Sequence, residues 1–371
     1  MNLINKESTS VFCSANSIFF SVIYLLFSGL ILWVFAGNMN ILDNGYATIA
    51  PFFQLSPILF LILIPALCMR SFSDEKKEKT FDILQTRPLN INIIYLYKVL
   101  ASWGFISLTI ASTFIYVISV SVLGSPAGNL DIQATLTSYL SLSLIALVFC
   151  FISVFASALH KNQFVAFIIG VSFSALAFYG GDLIAPLFSG DLQYWISTLS
   201  LNHHYQSMQR GVVEIANIAA IVNYALLLLA LFLLISKQIF KKQVLILVVV
   251  AIVANLTFLV NPHERFDFSN DNRYSLSEYS KHELEKLAES DKVITINIYL
   301  EGNLNPSFLR LQDAVKYTIS DLNRYAGNKL RFEFVNPQFG DEPTESTYKR
   351  MENMGMRGIV LNEKDRNGKI S

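Results

Sequence analysis

The sequence predicts a polytopic α-helical membrane protein, with a six-span body and one further span, followed by an α/β extracytoplasmic domain. Three observations predict this fold class: an apolar composition, a step in charge density and seven long apolar stretches. The 371 residues are 53% hydrophobic and 15% charged, with a mean hydropathy of +0.45, far from a typical soluble protein. Basic and acidic residues each total 28, and this balance excludes a basic nucleic-acid-binding protein.

Charge density marks the boundary between the membrane body and the tail. Residues 1–260 hold 12 basic and 10 acidic side chains, whereas the shorter segment 261–371 holds 16 and 18. We therefore assign residues 1–240 to the membrane body, 241–262 to a seventh span or anchor, and 263–371 to the extracytoplasmic domain.

Seven apolar stretches are long enough to cross a hydrocarbon layer of ~30 Å, which takes about 20 residues. They cover residues 18–36, 52–69, 95–123, 135–159, 164–179, 218–236 and 244–260. The third and fourth are rich in serine and threonine. We interpret these hydroxyls as hydrogen-bonding contacts between helices, in preference to a polar substrate path.

Basic residues in the connecting segments predict the orientation, because lysine and arginine resist translocation. Loops between successive spans lie alternately on the two sides of the membrane and so form two sets. Among the short loops of one set, Arg210 is the only basic residue. Eleven basic residues fall in the other set: Lys6, Arg70, Lys76, Lys77, Lys79, Arg87, Lys98, Lys161, Lys237, Lys241 and Lys242. This asymmetry predicts a cytoplasmic amino terminus in a bacterial inner membrane and, after seven spans, an extracytoplasmic carboxy-terminal domain.

The longest predicted cytoplasmic connection is the loop 70–94 between the second and third spans. Ser73 is predicted to cap a short surface helix, with Asp74 and Glu75 at the positive end of its dipole. An apolar patch follows, formed by Phe81, Ile83 and Leu84. The alternative is a solvated loop whose charges serve only to set the topology.

The motif of this loop is a Met-Arg end of the second span, an acidic-basic run, a Thr-Phe-Asp step, two aliphatic residues and a Thr-x-Pro close. Its members are Met69, Arg70, Glu75, Lys76, Lys77, Thr80, Phe81, Asp82, Ile83, Leu84, Thr86, Arg87 and Pro88. In this motif the loop resembles that of ABC-2 type permeases, although that family usually has glycine where this chain has Lys79. Residues 10–240 are most similar to the permease of the gliding-motility-associated ABC transporter (GldF-like).

The resemblance implies that the loop is a coupling helix that sits in a groove of a separate cytoplasmic ABC ATPase. The residues it assigns to this contact are Glu75, Lys76, Thr80, Phe81, Asp82, Leu84 and Pro88. It also implies a homodimer or heterodimer of permease spans in the lipid bilayer. The chain contains no Gly-x-x-x-x-Gly-Lys-Ser/Thr run, so the phosphate cradle of an ATPase is missing. ATP is accordingly expected on the partner subunit, with no cofactor in this chain.

The loop before the sixth span carries a second motif that resembles the same family. Its members are His203, Arg210 and Gly211. The adjacent histidines 203 and 204 leave a metal site as an alternative, but no third ligand stands at helical spacing, so we favour hydrogen bonding. Arg210 and Glu214, four residues apart, are predicted to pair on one helical face.

The tail begins with a predicted exposed linker over residues 266–274 and a helix with capping boxes at Ser275 and Ser280. A β-α-β-α-β pattern follows over residues 293–300, 306–325, 330–335, 345–353 and 358–361. The tail resembles the extracytoplasmic domain of the GldG-like auxiliary subunit in residues 273–278, 298–302, 308–312 and 334–337. The chain is therefore expected to fuse two subunits, to be incomplete at its carboxy end, and to contact envelope proteins through the tail.

The favoured function is that of a permease subunit without catalytic residues of its own. The tail contains neither a nucleophile motif nor a cysteine, so the sequence does not support catalysis there. The alternative is a membrane-anchored envelope scaffold without transport, which would have no ATPase partner. A secondary carrier is the weakest alternative, because no charged residue lies in the middle of any predicted span.

Overall fold

The computed structural model of the chain describes residues 3–80, 91–188, 192, 196–235, 265–268, 275–290, 292–302, 306–327, 329–338 and 344–356. These residues form two units, Met1–Ser275 and Leu276–Ser371. The described helices of the first unit are α1 (Leu3–Phe12), α2 (Ala15–Gly29), α3 (Ala50–Cys68), α4 (Ser73–Lys77), α5 (Ile91–Ser112), α6 (Phe114–Leu123), α7 (Ile132–Leu159), α8 (Gln163–Ile184), α9 (Leu201–Gln209) and α10 (Ile215–Ile235). A π-helical turn, Leu30–Val34, extends α2, and a 3₁₀ turn, Ala185–Leu187, extends α8.

Five helical segments are long and apolar enough to cross a membrane, which is consistent with membrane insertion. They are Ala15–Val34, Ala50–Lys77, Ile93–Leu123, Ile132–Leu159 and Gln163–Leu187, and they correspond to the first five predicted spans. The sixth predicted span lies in α10, where the apolar segment Asn217–Phe232 is shorter. The seventh, 244–260, lies outside the described residues.

The third predicted span, 95–123, lies in the single apolar segment Ile93–Leu123, within which helices α5 and α6 meet at Thr113. The break between α5 and α6 falls at Thr113, whose hydroxyl donates to the Ile110 carbonyl at 2.6 Å. A threonine that binds a carbonyl of the preceding turn competes with the helical backbone. The same hydroxyl lies 3.1 Å from that of Tyr139 on α7.

Helix α7 is the centre of the first unit. Every residue from Val148 to Ala158 is buried, and α7 packs against α3, α5, α8, α9 and α10. A helix that is apolar on all sides either faces lipid or is buried among other helices, and the burial of this segment identifies α7 as the second kind. Helix α7 is therefore the element that contacts most of the other helices of the first unit.

Hydroxyl pairs join neighbouring helices, as the sequence predicts. Ser21 on α2 lies 3.2 Å from the Thr109 hydroxyl on α5. Ser107 on α5 lies 3.3 Å from the Ser143 hydroxyl on α7. Such bonds let polar side chains sit inside an apolar bundle, because each hydroxyl finds a partner there.

A two-stranded antiparallel sheet completes the first unit. Its strands are β1 (Val212–Glu214) and β2 (Arg265–Asp267). The prediction of an exposed linker from residue 266 is therefore wrong at its start. Three-residue strands carry too little alternation to be recognised in a sequence.

The second unit contains α11 (Glu278–Glu289), β3 (Ile294–Ile298), α12 (Pro306–Tyr325), β4 (Leu330–Phe334) and α13 (Thr344–Asn353). Strands β3 and β4 pair in parallel, with Ile294 opposite Leu330, which confirms the predicted β-α-β crossover. The last predicted strand, 358–361, lies outside the described residues. The first helix is capped by Ser277, which accepts from the Ser280 amide at 3.2 Å, so both predicted capping boxes are wrong.

Candidate functional site

The described part of the predicted coupling loop, residues 70–80, lies against the ends of α7 and α8. We call these residues the connector. Its Ser73 hydroxyl donates to the carbonyls of Ser157 and His160, each at 3.1 Å. The expected capping role is wrong, because the N-cap of α4 is Phe72 and makes no side-chain cap. The last carbonyls of α7 have no partner within the helix, and the single hydroxyl proton of Ser73 is shared between two of the carbonyls at this end.

Charged connector side chains complement the dipoles of both helices. The Lys76 ammonium donates to the Ala158 carbonyl at the negative end of α7. The Asp74 carboxylate accepts from the side-chain amide of Gln163, the first residue of α8. Cations stabilise the carboxy end of a helix and anions its amino end. The connector therefore fastens the turn between α7 and α8 by matched charge as well as by hydrogen bonds.

Lys98 joins three elements at the same end of the body. Its ammonium lies 2.8 Å from Oε1 of Glu75 on the connector and 3.3 Å from Oε2 of Glu7 on α1. It also lies 5.1 Å from the centre of the Phe72 ring, within range of a cation–π contact. The Lys98 side chain is only 8% exposed. Lys98 is one of the eleven basic residues that predict the orientation, but the sequence predicts neither these partners nor a role for Glu7.

An aromatic stack extends from the connector into the bundle. Phe72 is fully buried. Its ring centre lies 6.4 Å from that of Tyr95 on α5 and 5.7 Å from that of Phe232 on α10. The Tyr95 and Phe232 rings stack at 4.2 Å. The connector therefore contacts α5 and α10 as well as α7 and α8.

The seven predicted coupling residues divide into two groups. Glu75, Lys76 and Thr80 lie on the connector, and the Thr80 hydroxyl donates to the Glu75 carbonyl at 3.2 Å. The remaining four, Phe81, Asp82, Leu84 and Pro88, lie outside the described residues. The described residues therefore contain the helical part of the predicted loop and not its apolar patch.

Lys79 occupies a backbone conformation that favours glycine. Its φ is +57°, in the left-handed region that costs an ordinary residue about 1 kcal/mol or more. We expect Lys79→Gly to be neutral or to raise the free energy of unfolding by at most about 1 kcal/mol, since the relief of strain is offset by greater freedom of the unfolded chain. Thermal unfolding in detergent measures the change.

The matched control for this substitution is Lys77→Gly, in the last position of α4. Glycine disfavours helical backbone by about 1 kcal/mol relative to alanine, so this variant should be less stable than the wild type. Equal destabilisation by both substitutions would contradict the left-handed conformation of Lys79.

The second predicted motif lies on and after α9, at the other end of α7. His203 is half-buried, and its ring meets that of His204 edge-on at 5.6 Å. His204 is buried, with one ring nitrogen 2.8 Å from Oδ1 of Asn217 and the other 2.8 Å from the Thr198 carbonyl. This agrees with the hydrogen-bonding interpretation. Within the described ranges, no three histidine, cysteine, aspartate or glutamate side chains are grouped as metal ligands.

Arg210 and Gly211 form the turn from α9 into β1. The Arg210 Nε donates to the Gln206 carbonyl at 3.4 Å, and Gly211 has a φ of +91°. The predicted placement of Arg210 and Glu214 on one helical face is wrong, because α9 ends at Gln209 and Glu214 lies on a strand. A left-handed glycine ends a helix without the steric cost that other residues would meet.

Comparison with known proteins gives one match within the tail. Residues 270–371, which include the second unit, match the model of a domain of unknown function (DUF7088). None of the curated proteins compared with the chain matches it.

Proposed function

We propose that the chain is the transmembrane permease subunit of an ATP-binding cassette transporter. In this proposal a separate cytoplasmic ABC ATPase hydrolyses ATP, and the connector passes its movement to the spans. Permease spans pair as a homodimer or heterodimer, and the output is transport or force transmission across the inner membrane. Gliding motility is the process suggested by the resemblance of the body and the tail to the GldF-like and GldG-like subunits.

The observation that carries the proposal is the attachment of the connector to α7. A loop that only satisfied topology would need no specific contacts with the bundle. Here Ser73, Lys76 and Asp74 each bind an end of α7 or α8. Because packed helices shift between discrete arrangements and do not deform continuously, a push on the connector is expected to move the central helix as a unit.

The grouping of basic segments supports a cytoplasmic connector. Ion pairs join α1, the connector and the beginning of α5 at one end of the body. The contacts of Lys76 and Asp74 bring the turn with Lys161 to the same end. The connector and the start of α5 belong to one connecting segment, so these contacts join three of the segments that carry the basic residues, and the positive-inside rule applies to them together.

Affinity purification of the full chain from native membranes tests the proposal. We expect an ABC ATPase subunit to copurify and the complex to hydrolyse ATP. The Ser73→Ala/Asp74→Ala variant should recover less of this subunit, whereas Asn129→Ala, at an exposed turn near the other end of α7, should recover as much as the wild type. An envelope scaffold predicts no nucleotide-binding subunit in any of the three preparations.

A further inference from the structure

The two prolines inside α3 each free a backbone carbonyl in the interior of the bundle. A proline has no amide hydrogen, so it cannot bond the carbonyl four residues before it. Pro57 therefore frees the carbonyl of Phe53. Pro65 frees the carbonyl of Leu61 in the same way. Both carbonyls belong to buried residues, and within a membrane each needs a donor from a neighbouring helix, a hydroxyl side chain or an ordered water.

The carbonyl of Phe53 has a donor from a neighbouring helix. The Tyr205 hydroxyl of α9 donates to it at 2.6 Å, and both residues are buried. The break at Pro57 is therefore compensated by a direct hydrogen bond between helices. The break at Pro65 is followed by only three more residues of α3, which then leads into the connector.

Two serines bring further polar groups into the interior near Pro65. Ser153 on α7 is 2% exposed, and Ser174 on α8 is 0% exposed. Within the described part of the chain, neither hydroxyl has a hydrogen-bond partner. A buried hydroxyl without a partner is unfavourable, so both serines need a donor or acceptor that the surrounding side chains do not provide.

Two contacts between α7 and α8 bracket these serines. A Cβ on Gly170 would lie 3.8 Å from the Cβ of Ala156. Further from the connector, the rings of Phe149 and Phe178 meet at 5.8 Å. On its own helix, each serine lies about one turn from both contacts, a spacing that keeps side chains on one helical face. The two hydroxyls therefore lie at the same level of the α7–α8 interface.

The contact of Gly170 with Pro65 gives the corresponding level on α3. A Cβ on Gly170 would lie only 3.1 Å from the Cβ of Pro65. Helices α3 and α8 run in opposite directions here, because α3 leads into the connector and α8 begins beside it. One turn away from the connector, the same interface therefore contains Leu61 on α3 and Ser174 on α8. The Leu61 carbonyl points along the helix axis towards Pro65, so it lies between these two levels.

We infer that a water molecule binds among α3, α7 and α8 and joins the Leu61 carbonyl to the hydroxyls of Ser153 and Ser174. The water donates one hydrogen to the carbonyl and the other to one serine hydroxyl, and it accepts from the second serine. Buried waters typically make about three hydrogen bonds to groups that lack other partners. The occupant is small, because close packing at Gly170 bounds the site on one side and the Phe149–Phe178 pair on the other.

A bound water at this level maintains the hydrogen bonding of α3 where its backbone is broken. The last turn of α3 can bend at Pro65 while the Leu61 carbonyl keeps a hydrogen bond. This inference holds whether or not an ATPase binds the connector.

A double-mutant cycle in the full chain tests the water site. Ser153→Ala and Ser174→Ala should each lower the equilibrium constant for folding about fivefold, the effect of one lost hydrogen bond. Because both hydroxyls bind one water, the double variant should lose little more than either single variant, whereas independent effects would multiply to about 25-fold. Denaturant unfolding in detergent measures the constants. Neutral or stabilising single substitutions, or fully multiplicative effects, would overturn the inference.

The two prolines provide a matched pair of backgrounds for the same cycle. Pro65→Ala restores an amide for the Leu61 carbonyl, so the water loses a partner and each serine substitution should then cost only about twofold. Pro57→Ala restores an amide for the Phe53 carbonyl and should leave the fivefold effects unchanged. Serine effects of equal size in both backgrounds would exclude the Leu61 carbonyl and overturn the site.

A high-resolution crystal or cryo-EM map of the wild-type chain gives a readout that needs no substitution. We expect a density peak within about 3 Å of both serine hydroxyls and the Leu61 carbonyl. A map that resolves other ordered waters of the bundle but shows no peak at this position would refute the inference.

Discussion

Replacement of Lys98 by methionine is expected to lower the free energy of unfolding by about 3 kcal/mol, the lower end for removing one partner of a buried ion pair. Methionine retains most of the volume of the lysine stem. The decrease in the free energy of unfolding therefore measures the effect of removing the charge. Without the ammonium, the carboxylates of Glu7 and Glu75 face each other with side chains only 14% and 22% exposed. Thermal and denaturant unfolding of the detergent-solubilised chain measures the effect.

Two further variants separate the charge effect from general damage. Lys161→Met removes an exposed cation of the α7–α8 turn and should change stability by less than about 0.5 kcal/mol. Combining Lys98→Met with Glu7→Gln and Glu75→Gln should restore much of the lost stability, because no buried charge then lacks a partner. Failure of this combination to recover stability would show that the cluster of Lys98 does not stabilise through its charges.

Under the proposed function, substitution of Glu75 by alanine is expected to uncouple the membrane helices from ATP hydrolysis by the separate ATPase subunit. Glu75 is the connector residue that forms an ion pair with Lys98 on α5, so its loss leaves only the Phe72 ring between the connector and α5. The coupling free energy between two sites is commonly about 1–3 kcal/mol. We therefore expect the stimulation of ATPase activity by the chain to fall about tenfold. The measured quantity is the ATPase rate of the purified complex relative to that of the isolated ATPase subunit.

The control for this substitution is Glu78→Ala, which removes an exposed carboxylate of the same connector. Its ATPase ratio should equal that of the wild type, and both variants should be present in the membrane at normal levels. An unchanged ratio for Glu75→Ala would count against the connector as the coupling element. Phe81, another residue that the resemblance assigns to the ATPase contact, lies outside the described residues.

Hydropathy alone predicts the first five candidate spans. A span needs only about 20 consecutive apolar residues, and each of these five segments contains such a stretch. The parallel β-α-β unit of the tail was equally predictable. Its strands alternate and α12 repeats its apolar residues at helical spacing. The boundary between α5 and α6 at Thr113, whose hydroxyl donates to the Ile110 carbonyl, has no counterpart in the hydropathy pattern.

The candidate site was predictable in its position but not in its contacts. The charged composition of the loop identifies it as a candidate site. Its contacts are not local, because the Ser73 hydroxyl donates to carbonyls more than 80 residues away in the sequence. Glu7 lies on a short helix before the first span and meets Lys98 only after three helices have packed. Such pairings depend on tertiary structure, and a single sequence contains no periodic signal for them. The β1–β2 pairing was missed for the same reason, because its strands are 50 residues apart and three residues long.

A photo-activated crosslinking residue in place of Lys77 tests the central claim most directly. Lys77 is exposed at the end of α4, where the proposed ATPase would bind. Irradiation of living cells should crosslink this position to a polypeptide that binds ATP and carries a Gly-x-x-x-x-Gly-Lys-Ser/Thr run. The same residue at Asn129, exposed near the opposite end of α7, should give no such product. Capture of the ATP-binding polypeptide from Asn129, and not from Lys77, would contradict the account.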